Sequence, residues 1–306
     1  MLKTEVLKTA SLAGHRDCIY SLEKGKNDQV FFSSSGDGMV VEWDLNNPDN
    51  GTLLAKVANS VYAVHLLKED NCLAIGQNFE GIHLISLDSK KEIASAKITT
   101  SYIFDIKSQG DFLYVATGDG YLIILDKKEL TLVHKVKLSE KSLRAIAIDT
   151  SRQLAAFACS DNNFRIYSLE KNEIIYTVPA HENSIFTAVF SPDSKYLLTG
   201  GRDARLKVWD CEQGFILHEE IVAHTFALNH IQYAPDGKFF ATCSMDKSIK
   251  IWDSNQFRLL KVIDKARHAG HATSVNRLLW LPWNDSLVSA GDDRMVSVWN
   301  LSFQIV

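Results

Sequence analysis

The chain has 306 residues, 46% of them hydrophobic and 23% charged, with a formal net charge of -4. That composition supplies a large buried core and is too acidic for a surface that grips phosphate backbones, so nucleic acid is not an expected partner. No apolar run reaches membrane-spanning length, the opening MLKTEVLKTASLAGH lacks the apolar stretch of a signal peptide, and the five scattered cysteines contain no CxxC pair, so a cytoplasmic protein with reduced thiols and no membrane partner is expected.

In chain order, residues 4–13 (TEVLKTASLA) read as a first strand ahead of a Gly-His pair. A motif then recurs: VVEWD ends at Asp44, IHLIS at Ser86, LIILD at Asp126, FRIYS at Ser168, LKVWD at Asp210, IKIWD at Asp253 and VSVWN at Asn300. Successive copies are 40 to 47 residues apart. A period in the low forties marks a repeat of four strands per unit. Residues 181–220 show the unit: IFTAVF, a turn at SPDSK, YLLTG, a turn at GRDA, then RLKVWD and GFILHEE. One such sheet cannot bury both faces alone, so neighbouring sheets must stack and close into a ring.

Four Trp-Asp or Trp-Asn endings, the Gly-His or Ala-His pairs at 14–15, 180–181, 223–224 and 270–271, and the SPDSK and APDGK turns make the chain resemble the WD40-repeat β-propellers over its whole length. The resemblance implies an all-β fold of seven blades with four antiparallel strands each, with residues 1–306 as one domain. Only LSFQIV follows the last motif, so the resemblance also implies that the N-terminal strand completes the last blade and closes the ring.

Asp37, Asp203, Asp246 and Asp293 stand six residues before Trp43, Trp209, Trp252 and Trp299, and four residues after Ser33, Thr199, Thr242 and Ser289. His15, His181, His224 and His271 open the same units. Ser, His and Asp are also the types of a hydrolytic triad, but an enzyme needs one site and a scaffold needs a tie in every blade. The resemblance implies a buried chain from indole to hydroxyl to imidazole to carboxylate. In the second unit Ile75, Phe79 and Ile85 replace hydroxyl, carboxylate and indole together. The next two carry Val115 and Leu125, then Phe157 and Tyr167, and there Asp119 and Asp161 are expected to serve only their own turns. No cofactor or metal motif appears; RHAGH offers His268 as a single free ligand, because His271 belongs to a tetrad.

The resemblance also places a set of residues around the channel on one face: Tyr20, Tyr62, Tyr102, Phe104, Arg144, Phe186, Arg202, Asn229, Met245, Asn276 and Asp292. Aromatic residues and arginine dominate binding hot spots. The expected function is a non-catalytic scaffold that binds a peptide or protein segment on this rim, as a monomeric propeller or as a subunit of a larger complex. The alternatives are a hydrolase or lactonase-like propeller enzyme using Asp292, whose turnover Asp292→Asn would abolish, or a small-molecule sensor at the channel.

Overall fold

A computed structural model of the chain describes residues 2–305. It contains seven four-stranded antiparallel sheets. Blade 1 runs from Ile19–Lys24 to Thr52–Lys56, blade 2 from Val61–Leu67 to Glu92–Lys97, blade 3 from Ile103–Gln109 to Leu132–Lys137 and blade 4 from Leu143–Asp149 to Glu173–Pro179. Blade 5 runs from Ile185–Phe190 to Ile216–Val222, and blade 6 from Leu228–Tyr233 to Leu259–Ile263. Blade 7 takes three strands from Val275–Leu281 to Met295–Ile305 and its outermost strand, Leu2–Ala13, from the other end of the chain. The innermost strand of each blade touches the next, and Ile19–Lys24 meets Val275–Leu281 to close the ring.

The core is divided accordingly. Seven apolar clusters form among the described residues, one in each gap between adjacent blades. Phe32, Val40 and Leu54 of blade 1, for example, pack on Val61, Val64 and Leu73 of blade 2. Each sheet therefore buries both faces, which is why its second strand is fully buried, as in Cys72–Gln77 and Ser286–Gly291. The outermost strands are wet and polar on at least one side, as in Glu92–Lys97 and Leu132–Lys137. No helix among the described residues is long and apolar enough to cross a membrane.

The closing strand is longer than the sequence indicates. The last strand of the chain continues through Leu301 and Phe303, pairing Val6 with Leu301 and Thr4 with Phe303, with a register shift between Lys8 and Ala10. LSFQIV is thus an extension of the third strand of blade 7, and its partner begins at residue 2 rather than 4.

Candidate functional site

Four blades carry the same side-chain relay. Trp43, Trp209, Trp252 and Trp299 donate through Nε1 to the hydroxyls of Ser33, Thr199, Thr242 and Ser289 at 2.8–2.9 Å. Each hydroxyl lies 2.7–2.8 Å from Nε2 of His15, His181, His224 or His271. Nδ1 of each ring faces the aspartate, at 2.9 Å in His181, His224 and His271 and at 3.4 Å in His15. Every group can donate to the next, so no buried polar atom along the relay is left over.

The aspartate does a second job. Its oxygens also accept the backbone N–H two residues on, as from Met39 to Asp37 and from Ser248 to Asp246, and the N–H of the residue after the histidine, as from Arg16 and Thr225. Burial alone would push these carboxyls up, but the histidine and backbone N–H groups outweigh it, and Asp37, Asp203, Asp246 and Asp293 all sit below the ordinary carboxylate value. The relay hydroxyls have no exposed surface, so no substrate reaches them. Removing the middle of one relay, as in His224→Ala, leaves Thr242 and Asp246 without their shared partner. We expect a loss of about 1–3 kcal/mol by urea unfolding. A loss within error of zero would mean the relay is not a structural tie.

The blades without a relay are stitched differently, and here the structure corrects the sequence reading. Asp161 does more than shape its turn: it accepts from Arg165 at 2.6 and 3.1 Å and from Ser139 at 2.9 Å. Ser139 lies 22 residues before Asp161, the spacing that separates histidine from aspartate in the relays, so blade 4 keeps the cross-link with a hydroxyl and a guanidinium in place of imidazole. Tyr167, at the indole position there, leaves its buried hydroxyl without a partner.

Phe79 is the second correction. Ile75 and Ile85 are buried, as apolar replacements should be, but Phe79 is 41% exposed. In the other six blades the residue after the aspartate takes a left-handed conformation, glycine at 38 and 120 and a non-glycine residue elsewhere; in blade 2 it is Phe79 itself, at φ 65°. Without a carboxylate to hold the turn, the backbone turns over one position earlier, and the ring emerges onto the surface, 4.6 Å from Tyr102.

One irregularity builds the channel mouth. In every blade the pairing of the innermost strand with the second slips at the same place, between Ile19 and Ser21, Val61 and Ala63, Ile103 and Asp105, Leu143 and Ala145, Ile185 and Thr187, Leu228 and His230, and Val275 and Arg277. The bulged residues are Tyr20, Tyr62, Phe104, Arg144, Phe186, Asn229 and Asn276. A β-bulge re-aims a side chain, and seven in a circle turn these seven toward one cavity of about 430 Å³ at the end of the channel. Tyr102 and Arg277 complete its lining.

The rings in that lining are stacked on one another. Tyr20 meets Tyr62 edge-on at 4.4 Å, Tyr62 stacks on Tyr102 and Phe104 at 5.8 Å, and Tyr102 stacks on Phe104 at 5.6 Å. The Arg144 guanidinium continues the stack, 4.0 Å from the Phe104 centroid and 5.0 Å from that of Phe186. Burial pushes it down to about 10. Burial also raises the phenols of Tyr20 and Tyr62. Asn229 and Asn276 are held by hydrogen bonds from their amides to the carbonyls of Val275 and Ile19.

Three of the eleven rim residues named from the sequence stay outside the cavity. Arg202 and Met245 project from exposed turns, and Asp292 accepts from Asn276 at 2.7 Å from outside. Two residues not named there belong to the surface: Phe79, through its contact with Tyr102, and Arg277, directly after the bulge of blade 7.

The WD40 family model, described as WD domain, G-beta repeat, matches residues 6–44, 172–210, 216–253 and 264–300, half of the chain. The chain belongs to the WD40-repeat family. The matched segments are those with relays; residues 45–171, which hold blades 2 and 3 and the first three strands of blade 4, carry the fold without the motif. Among curated proteins the chain is 23% identical over 226 residues to the Periodic tryptophan protein 2 homolog of Mus musculus, a match covering 67% of this chain and 24% of that protein. It is 29% identical to the Nuclear distribution protein nudF of Aspergillus niger, covering 70% and 54%, and 22% identical to Actin-interacting protein 1 of Caenorhabditis elegans, covering 95% and 48%. The chain thus spans between about a quarter and about half of the length of these relatives. Among solved structures, the WD40 β-propeller domain of Doa1 superposes with a TM-score of 0.85 at 17% identity over 97% of both chains, a likeness of fold.

Proposed function

We propose that this propeller is a non-catalytic docking platform that holds a segment of another protein over the channel mouth. The supporting observation is the continuous stack of Tyr20, Tyr62, Tyr102, Phe104, Arg144 and Phe186 around one open cavity. Rigid rings and arginine give up little conformational freedom on binding while covering much apolar area, which is why they dominate hot spots. Phe79, Tyr102 and Met245 add exposed apolar surface on the same side of the ring, at the turns flanking the innermost strands. One relative is by name an Actin-interacting protein, in keeping with a propeller that holds another protein. The test is affinity purification from the native cell with the wild type and with Phe104→Ala combined with Arg144→Glu. The wild type should retain proteins that the double variant loses, at matched melting temperatures. Retention of every partner by a folded double variant would remove the docking assignment.

A further inference from the structure

The charge inside the mouth is all of one sign. Nine residues line the cavity, Arg144 and Arg277 are among them, and none is an acid. Neither guanidinium makes a hydrogen bond or ion pair to any described residue, and Arg277 has a buried Nε with no partner. That is unusual, because guanidinium carries five donors and buried arginines are almost always paired. Arg165, the comparable guanidinium in blade 4, is by contrast paired with Asp161 at 2.6 Å. Two acids stand near the rim and outside the lining: Asp292, which spends one oxygen on Asn276, and Asp17, which accepts from the Cys18 backbone.

The stack fixes where an incoming charge must sit. Phe104 and Phe186 both lie against the Arg144 guanidinium, which leaves its in-plane N–H groups for a ligand and keeps its charge in place. A second cation in that slot would meet like charge, so the mouth disfavours basic side chains where it favours acidic ones.

We infer that the docked segment is an acidic peptide that seats an aspartate or glutamate carboxylate between Arg144 and Arg277, with an apolar neighbour against Tyr62, Tyr102 and Phe104. This rests on the reading of the mouth as the docking site. It adds the chemistry of the partner: two guanidinium forks that make no hydrogen bond or ion pair to any described residue, although Glu23 shares an adjoining channel cavity with Arg277, and a mouth cavity of about 430 Å³, room for one acidic side chain and the residue beside it. The downward displacement of the Arg144 value by burial agrees, since a carboxylate would relieve the same cost.

A displayed library of random heptapeptides selected on the immobilised protein tests this. The enriched sequences should share one Asp or Glu next to an aromatic or aliphatic residue. Replacing that acid by its amide should weaken binding about ten-fold or more by fluorescence anisotropy. Arg144→Met and Arg277→Met should each do the same, and because each leaves the other arginine and the rings in place, a folding failure in one does not remove the test. Acid-free peptides that lose binding in Phe104→Ala would overturn the acidic partner and leave the docking site standing. Peptides indifferent to Phe104→Ala, or no enrichment at all, would overturn both.

Discussion

A chain lacking residues 1–12 will melt about 10 °C below the full chain. Those residues supply all but Ala13 of the fourth strand of blade 7. Leu12 is buried in the cluster between blades 7 and 1, and Val6 packs on the cluster between blades 6 and 7, so the strand contributes to both neighbouring gaps. Burying Leu12 fully and Val6 in part is worth about 2–5 kcal/mol, and the backbone bonds from Thr4↔Phe303 to Leu12↔Val296 bring the total to roughly 3–6 kcal/mol. For a domain of this size about 3–6 kcal/mol corresponds to roughly 10 °C. Removal also bares the edge of Met295–Ile305, an eleven-residue strand, and unpaired edges of that length invite pairing between molecules. Scanning calorimetry with light scattering reads both effects. A truncated chain with the same melting curve and no added scattering would show that blade 7 holds without its outer strand.

The number of blades was legible because the relay residues recur in register, and a repeat that must stack on its neighbours has few ways to close. The regularity of blades 2 to 4 was less legible, since their sheets are held by apolar contacts in the gaps, and Val115, Leu125 and Phe157 carry no signature beyond being apolar. The rim was legible through position: the residue after the first apolar residue of each innermost strand is the bulged one, so a rule about sequence place coincided with a rule about backbone geometry. Arg277 was hidden because alternation predicts that the next residue turns away, and the register shift cancels that alternation. Phe79 was hidden for the opposite reason. Its position faces inward in blades with an aspartate, and only the loss of the carboxylate, which holds the turn through its N–H contacts, lets the ring out. The partnership of Asp161 with Arg165 and Ser139 had a usable signal, the 22-residue spacing, with serine where histidine was sought.

Acidification will destabilise the propeller from just below pH 6.5, before most carboxylates protonate. Four histidines are held neutral by the fold. Burial, joined by Lys107, brings His65 down to about 3; burial lowers His230 well below its ordinary value, with Arg277 and Lys107 adding to it; and burial lowers His15 and His224 against the pull of Asp37 and Asp246. The unfolded chain takes up these protons near the ordinary value of 6.5, so below that pH the unfolded state binds more protons and stability falls with pH. For His65 alone the difference reaches about 3 kcal/mol by pH 4.5. Glu23, 3.9 Å from His65, works in the other direction, because burial raises its carboxyl and its disadvantage shrinks as pH falls toward the usual carboxylate range. The depressed aspartates of the relays act later, giving up their contribution only as pH falls below about 3.8. Urea midpoints at pH 7.5, 6, 5 and 4.5 should therefore decline steadily, and His65→Gln, which keeps a polar group for Ser108 but cannot take a proton, should flatten the decline. If wild type and variant lose stability in parallel, His65 does not govern the acid limb, and a flat wild-type profile would mean that none of the four is protonated on unfolding in this range.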